Sequence, residues 1–273
     1  MTTAPITFIG GGNMARSLIA GLVRQGAAPG QIHVAEPVAA LREQLSAEFG
    51  VTTYGDAADA AAQGAVWVLA VKPQVLREVC TTLAEPAARL QPLVVSIAAG
   101  ITSAQLARWL GGHGAVVRAM PNTPALLGAG VTGLFATDGV SEEQRALADT
   151  VLASAGRTVW IDDEARMDAV TAVSGSGPAY VFLLAEAMEA AGIAQGLAPE
   201  AARTLVVQTL LGASRMLDES GEAPAELRRR VTSPNGTTQA AIESFQADGF
   251  EAMVERAIDA ATRRGKTLSA AND

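Results

Sequence analysis

Hydrophobic residues are spaced in two different ways along this chain, and the spacing changes near residue 164. Before it they form short continuous runs, which are typical of strands buried on both faces of a parallel sheet. The predicted strands cover residues 6–9, 31–35, 65–71, 93–100 and 116–120. The runs 131–136 and 158–161 are predicted as edge strands that are joined by a helix over 142–153.

After residue 164 the apolar positions recur with helical periodicity. A short helix is predicted over 168–173, and the sequence Ser-Gly-Ser-Gly-Pro at 174–178 is expected to break it. The next helix is apolar on most sides, so we expect it to be buried in a bundle or a subunit interface. A further helix is predicted to begin at Pro199, a residue that is favoured in the first turn of a helix. Three more helices are predicted over 225–230, 238–247 and 250–268.

These patterns predict an α/β fold with two domains. Residues 1–162 are expected to form a Rossmann-like doubly wound sheet, and residues 163–273 an all-α helical dimerisation domain. The helical part is strongly apolar and short of aromatic residues, so we expect it to complete its core by dimerising.

A glycine-rich loop follows the first predicted strand. Gly10, Gly12 and Ala15 have the G-x-G-x-x-A spacing, between a strand and a helix, that binds dinucleotides in Rossmann domains. The first glycine makes the turn, the second lets the pyrophosphate approach the backbone, and the small third residue lets helix and strand pack closely. The alternative is a glycine-rich turn that binds no ligand.

The ends of other predicted strands lie at the same crevice. Glu36 follows the second strand, where a carboxylate can accept hydrogen bonds from the adenosine ribose and would repel a 2′-phosphate, which favours NADH over NADPH. The alternative for Glu36 is a solvated turn residue. Lys72 follows the strand 65–71 and is either a contact of the cofactor or a surface lysine. Small residues at the end of 93–100 leave room for a nicotinamide ring.

Composition and charge argue against several classes of protein. The 273 residues are 49% hydrophobic, which allows two domains with a large core. The formal net charge of −8, without a basic stripe, argues against nucleic acid or a membrane surface as partner. With Cys80 alone and two distant histidines, His33 and His113, we expect no disulfide, no metal site and no catalytic histidine. No signal peptide or membrane-spanning run is apparent, so a cytoplasmic protein is expected.

The segment Ser-Pro-Asn-Gly-Thr-Thr at 233–238 is predicted to be a tight turn that leads into a helix. Backbone N–H groups at a helix start, flanked by hydroxyls, suit a small anion such as a carboxylate. The alternative is that Thr238 is a helix N-cap with no role in binding.

Six segments together resemble one family along nearly the whole chain. They are 8–15 (Phe-Ile-Gly-Gly-Gly-Asn-Met-Ala), 70–73 (Ala-Val-Lys-Pro), 94–100 (Val-Val-Ser-Ile-Ala-Ala-Gly), 118–124 (Arg-Ala-Met-Pro-Asn-Thr-Pro), 173–180 (Val-Ser-Gly-Ser-Gly-Pro-Ala-Tyr) and 231–238 (Val-Thr-Ser-Pro-Asn-Gly-Thr-Thr). In this order they resemble the pyrroline-5-carboxylate reductases. The resemblance implies reduction of 1-pyrroline-5-carboxylate to L-proline, a helical domain that interlocks with a second subunit, and a homodimer or a higher homo-oligomer built from dimers.

The resemblance also implies roles for individual residues. The cofactor, NADPH or NADH, would be held by Ile9, Gly10, Gly11, Gly12, Asn13, Met14, Ala70, Val71, Lys72, Pro73, Ile97, Ala98 and Ala99. Glu36 joins this set because of its place after the second strand and not because of the resemblance. The imino-acid substrate would be held by Met120, Glu164, Ser233, Gly236, Thr237 and Thr238.

The chain departs from the family pattern at two positions. Asn235 stands where the family usually has a glycine, although asparagine tolerates left-handed backbone angles better than most residues. Glu36 stands where members that favour NADPH often have Ser, Asn or Arg, so the choice of cofactor stays open.

The residues that are missing favour an imine as substrate. A carbonyl reductase usually needs an acid for the developing alkoxide, yet no lysine lies between Pro73 and Gly265. A cyclic imine can be protonated in solution, which leaves the enzyme mainly the work of positioning. We expect the amides of Gly236 to Thr238 to hold the carboxylate, and the catalytic Thr238 hydroxyl to bind the ring nitrogen. A reductase of another cyclic imine and a non-catalytic NAD(P) sensor remain as alternatives.

Overall fold

The computed structural model describes residues 4–271, which divide into two compact units. The first unit contains residues 4–176 and 260–271, and the second contains residues 177–259. The first unit therefore runs past the predicted boundary after residue 162 and includes the end of the chain's last helix. The boundary itself stays a prediction.

Among the described residues, the first unit holds one eight-stranded sheet in the order β3-β2-β1-β4-β5-β6-β7-β8. The strands are β1 (Ile6–Ile9), β2 (Ile32–Ala35), β3 (Thr52–Tyr54), β4 (Val66–Leu69), β5 (Leu93–Ser96), β6 (Val116–Met120), β7 (Gly130–Ala136) and β8 (Gly156–Trp160). Strand β1 pairs in parallel with β2 on one side and with β4 on the other. The strand order thus reverses direction at β1, and ligands of doubly wound sheets bind at this switch point.

The helices of the first unit cover the sheet. They are α1 (Asn13–Arg24), α2 (Ala39–Phe49), α3 (Ala57–Ala61), α4 (Pro73–Thr82), α5 (Ala84–Leu90), α6 (Ser103–Trp109), α7 (Glu142–Ala153) and α8 (Met167–Val170). Their apolar faces form two clusters of buried residues with the central strands, including Phe8 and Leu18 in one cluster and Trp67 and Leu76 in the other. The predicted doubly wound α/β fold is confirmed.

Two features of the sheet differ from the prediction. Strand β7 is not an edge strand, because it runs antiparallel to β6 and pairs in parallel with β8, so only β8 forms that edge. At the opposite edge lies β3, a three-residue strand that the apolar runs did not indicate. As an edge strand, β3 pairs on one side only, so its sequence Thr-Thr-Tyr can be polar. A polar run of three residues cannot be distinguished from a loop in the sequence.

The segment 174–178 separates the short helix from the long apolar one, as predicted, although a π-helical turn extends into it. Residues Thr171–Gly175 form a π-helical turn directly after α8, and the Ser176 N–H donates to the Thr171 carbonyl at 2.8 Å. The wider turn takes in Ser174 and Gly175, and Ser176 separates it from the next helix. Pro178 then lies in the first turn of the next helix, where a backbone N–H is not needed.

The second unit is helical. It contains α9 (Gly177–Ala194), α10 (Pro199–Glu219), α11 (Pro224–Arg230), α12 (Thr237–Ala247) and the first part of α13 (Phe250–Ala271). Helix α9 was expected to be buried, yet Phe182 is 67% and Leu183 is 66% exposed in the single chain. Large apolar side chains exposed in this number indicate an interaction surface. Within residues 4–271, no helix combines the length and the apolar character that crossing a membrane requires.

Candidate active site

The glycine-rich loop has the geometry of a cradle for a dinucleotide. Gly10 has φ +106°, and a Cβ there would lie 2.7 Å from the Ala70 carbonyl oxygen, so only glycine fits. Gly12 is the N-cap of α1, and a Cβ at this position would meet no atom within 4 Å. Ala15 is fully buried against the sheet. The loop thus leaves open space at a helix N-terminus, which suits a pyrophosphate.

Glu36 is tied to this loop. It is only 8% exposed, its Oε2 accepts from the Gly11 N–H at 3.1 Å, and its Oε1 accepts from the Val38 N–H at 3.0 Å. The alternative of a solvated turn residue is therefore wrong. Arg42 donates to the Glu36 and Pro37 carbonyls at 2.8 and 2.9 Å, which braces the turn after β2.

The other predicted cofactor segments meet the glycine loop at the carboxyl edge of the sheet. The Ala70 N–H donates to the Ile9 carbonyl at 2.8 Å, and the Ile97 N–H donates to the Leu69 carbonyl at 3.2 Å. The ends of β1, β4 and β5 are thereby brought side by side. Ala98 is buried beneath this edge, whereas Ala99 and Asn13 are exposed on it. Lys72 is exposed at the N-cap of α4, a position that fits both a cofactor contact and a surface lysine.

Glu164 belongs to a cluster of charges, made of the buried Arg118 and two half-buried carboxylates, that the sequence patterns did not reveal. Its Oε1 accepts from the Ser103 N–H at 2.7 Å and lies 3.3 Å from Arg118 Nη1, and its Oε2 accepts from the Ser103 hydroxyl at 2.5 Å. Arg118 Nη2 also lies 3.7 Å from Asp168 Oδ1. The one available sign was an arginine at the centre of the otherwise apolar strand β6, where a buried charge needs a partner.

Met120 and its neighbour Asn122 anchor the π-helical turn. A Cβ at Gly175 would lie 2.6 Å from Met120 Cε, so the methionine packs directly on the glycine backbone. Asn122 Nδ2 donates to the Ser174 carbonyl at 3.1 Å, and its Oδ1 accepts from the Val131 N–H at 2.9 Å. Met120 at the end of β6 thus packs on the same turn that Asn122 ties to the start of β7.

In the second unit, the segment 233–238 forms a turn followed by the start of α12. Asn235 has φ +58°, so it adopts the left-handed conformation that a glycine would occupy most easily. The N–H of Asn235 donates to Gln239 Oε1 at 2.7 Å, which fixes the turn to the first turn of the helix. The replacement of the usual glycine by asparagine is therefore accommodated by the backbone.

The residues at the start of α12 differ from the expectation in which of them caps the helix and which amides are free. Gly236 is the N-cap, so the alternative that Thr238 caps the helix is wrong. The Gly236 N–H donates to the Ser233 carbonyl at 3.0 Å and is therefore not available to a carboxylate as expected. Within residues 4–271, the N–H groups of Thr237, Thr238 and Gln239 and both threonine hydroxyls have no hydrogen-bond partner.

The histidines and the cysteine take no part in these arrangements. His113 Nε2 donates to the Pro92 carbonyl at 2.7 Å in a buried turn, and His33 Nδ1 lies 3.2 Å from the Tyr54 hydroxyl. Burial lowers the pKa of His33 and raises the pKa of the Cys80 thiol to about 12, so the thiol is inert near neutral pH. In the part of the chain that the structure describes, no three His, Cys, Asp or Glu residues are grouped so as to hold a metal ion.

Two sequence families match parts of the chain. The family described as pyrroline-5-carboxylate reductase dimerisation matches residues 164–268. The family described as NADP oxidoreductase, coenzyme F420-dependent, matches residues 5–100. The second match contains the glycine loop, Glu36 and the ends of β4 and β5, and the first contains Glu164 and the segment 233–238.

Full-length relatives and solved structures agree with these matches. The pyrroline-5-carboxylate reductase of Pseudomonas aeruginosa is 54% identical over 269 residues, and the alignment covers 98% of either chain. A structure of the Coxiella burnetii enzyme is 40% identical, with a TM-score of 0.95, and covers 98% of this chain and 99% of that one. The Plasmodium falciparum pyrroline carboxylate reductase with NADP bound is 27% identical, with a TM-score of 0.86 and the same coverage. Identity of this extent over almost the full length shows that the chain belongs to the pyrroline-5-carboxylate reductase family.

Proposed function

We propose that this chain reduces 1-pyrroline-5-carboxylate to L-proline with NADH or NADPH as hydride donor. The observation that supports the proposal most is the start of α12, where three amides and two hydroxyls without partners in the described chain adjoin one another. Such a group of donors suits a small imino acid, because its carboxylate is an anion and its ring nitrogen can take part in a hydrogen bond.

The bound nicotinamide cofactor supplies the hydride. The chain's own residues then have three tasks, which are to bind, to orient and to exclude water. We assign the cofactor to the loop Ile9–Met14, to Glu36, to the segment 70–73 and to Ile97–Ala99, which the ends of β1, β4 and β5 bring together. The open space at Gly12 suits the pyrophosphate.

We assign the substrate to Ser233, Gly236, Thr237 and Thr238 of the second unit, while a substrate contact of Met120 stays a prediction. In this proposal the amides of Thr237, Thr238 and Gln239 hold the carboxylate, whereas Gly236 shapes the turn as the N-cap of α12. The Thr238 hydroxyl holds the ring nitrogen and orients the iminium. An imine that is protonated in solution needs no acid from the protein, which agrees with the lack of a lysine between Pro73 and Gly265.

The activity is tested by adding 1-pyrroline-5-carboxylate to the protein with NADH or NADPH. We expect the absorbance of the reduced cofactor to fall and L-proline to form in equal amount. No oxidation of either cofactor would favour a non-catalytic sensor. Equal rates with a cyclic imine that lacks the carboxylate would favour a different imine reductase. The N–H groups at the start of α12 would then not contribute to substrate binding.

For the cofactor we propose a preference for NADH over NADPH, supported by the position of Glu36. Its carboxylate is buried beside the glycine loop and accepts from the Gly11 N–H, so it stands where a ribose hydroxyl could donate to it. A 2′-phosphate in the same place would be repelled by the Glu36 carboxylate. The repulsion would be strong, because little water surrounds a buried charge to screen it.

The substitution Glu36→Gln tests this preference. Glutamine keeps the length and one acceptor oxygen but removes the charge, so we expect the ratio of kcat/KM for NADH to that for NADPH to fall about 10-fold or more. Steady-state kinetics with both cofactors measure the ratio. Glu85→Gln, an exposed change on α5, serves as the control for removal of a charge. An unchanged ratio in Glu36→Gln would assign the choice of cofactor to other residues.

We also propose that the chain forms dimers, and that any larger homo-oligomer is built from them. The proposal is supported by the match to a dimerisation family and by the exposed apolar side chains of α9 and α10. The predicted cytoplasmic location stays a prediction.

A further inference from the structure

The loop between β5 and α6, residues 97–102, carries Ile97, Ala98 and Ala99, which we assigned to the cofactor. We propose that Arg118 and Glu164 are positioning residues that hold this loop in place for hydride transfer. This inference rests on the proposed function, since the loop has a catalytic task only in a reductase. It gives Glu164 a role through the loop instead of a direct contact with the substrate.

The first end of the loop is fixed by the sheet. Ser96, the last residue of β5, is paired with Arg118 of β6 in the parallel register, so the arginine lies beside the point where the loop begins. The Ser96 hydroxyl oxygen, fully buried, accepts from the Ala98 N–H at 3.4 Å, which is a long contact. The loop therefore leaves the sheet in a direction that the strand and its neighbour determine.

The second end of the loop is held by Glu164. Its two carboxylate oxygens accept from the N–H and the hydroxyl of Ser103, the first residue of α6. A carboxylate at a helix N-terminus is favoured by the N–H groups exposed there and by the helix dipole. Both oxygens are thus engaged by donors of the chain itself, and the carboxylate fixes the start of α6.

Arg118 holds Glu164 in this position. The arginine side chain is only 5% exposed and lies between the carboxylates of Glu164 and Asp168, at 3.3 and 3.7 Å. The two acidic partners compensate the positive charge of the buried guanidinium, and removal of either carboxylate weakens that compensation. The network connects β6 to α6 through one carboxylate, so the loop between β5 and α6 is spanned by a rigid link.

A third side of the loop is closed by residues 260–271 of α13, which belong to the same unit. Gly100 has φ +71°, and a Cβ there would lie 3.3 Å from Leu268 Cβ. Gln105 of α6 donates through Nε2 to the Ser269 carbonyl at 3.0 Å. The loop is therefore confined at both ends and along its length, and small displacements of the hydride donor can cost large factors in rate.

The test compares Glu164→Gln, Ser103→Ala and the double variant with the wild type. We expect either single change to lower kcat about 10-fold or more, while the KM for the imine and the Kd for NADH stay within about 3-fold. Because the Ser103 hydroxyl acts through its hydrogen bond to Glu164, the double variant should be little slower than Glu164→Gln alone. Ser141→Ala, which removes the N-cap of the remote helix α7, is the control and should keep the wild-type kcat.

Hydrogen exchange of the cofactor-free protein gives a readout that does not depend on turnover. We expect the amides of 97–102 to exchange about 10-fold faster in Glu164→Gln and Ser103→Ala than in the wild type or Ser141→Ala. A raised KM for the imine in Glu164→Gln with an unchanged kcat would show a substrate contact and overturn the inference. Wild-type kcat and exchange in both variants, even with a lowered Tm, would overturn it as well. A wild type without turnover would instead refute the proposed function.

Discussion

Replacing Gly12 with valine is expected to weaken the binding of NADH and NADPH by about 5- to 150-fold while the protein stays folded. The side chain would enter the space beside the N-terminus of α1, where a Cβ meets no atom of the described residues within 4 Å. Because residues 4–271 leave this space open, the bulk of the valine is expected to act mainly against a ligand. Overpacking of a tight contact typically costs about 1–3 kcal/mol, which gives the expected loss of affinity.

Cofactor binding by fluorescence titration and unfolding by heat measure the two quantities separately. Valine is a poorer N-cap than glycine, so we expect a loss of stability of about 1 kcal/mol or less. Gly30→Val is the matched control, because Gly30 also has no atom within 4 Å of its Cβ position but lies in the turn Pro29–Gln31. Wild-type affinity in Gly12→Val would show that the pyrophosphate does not lie over this glycine.

Replacing Thr238 with alanine is expected to lower kcat/KM for 1-pyrroline-5-carboxylate by about 5- to 150-fold. The change removes one hydroxyl that has no partner within residues 4–271. A hydrogen bond from the charged ring N–H to the hydroxyl oxygen contributes roughly 1–3 kcal/mol in the transition state. Alanine favours the helix at least as well as threonine, so the helix start should persist.

Steady-state kinetics and a titration with NADH distinguish a substrate role from a general defect. The Kd for NADH should stay close to that of the wild type, since the cofactor is assigned to the other compact unit. Thr82→Ala, which removes an exposed hydroxyl at the end of α4, should keep full kcat/KM. If Thr238→Ala retained the wild-type kcat/KM, the ring nitrogen would have to be held by another group.

The parts of the fold that the sequence predicted well depend on local chemistry. The strand, the glycine loop and α1 follow one another directly, and each position has a backbone requirement that few residue types meet. Asn235 is a similar case, because an asparagine at a turn already indicates the left-handed angle that the structure has. Local requirements of this kind leave a clear mark in the sequence.

Features that depend on distant partners could not be predicted in this way. The interior position of β7 depends on its pairing with β6 and β8, and no apolar run specifies the neighbour of a strand. Arg118, Glu164 and Ser103 are far apart in the chain and meet only when α6 packs beside β6. The π-helical turn at 171–175 depends on Met120 packing against Gly175, which the local sequence does not show.

The first compact unit combines two separate parts of the chain, and this affects when it can finish folding during synthesis. Residues 260–271 contribute Gly265 beside Asp168, Leu268 beside Gly100, and the Ser269 carbonyl on Gln105. They are translated after every other residue of that unit, although domains generally fold as they emerge during synthesis. The sheet can begin to form while the nascent chain grows, but the loop at 97–102 gains its last support only after α13 has been synthesised.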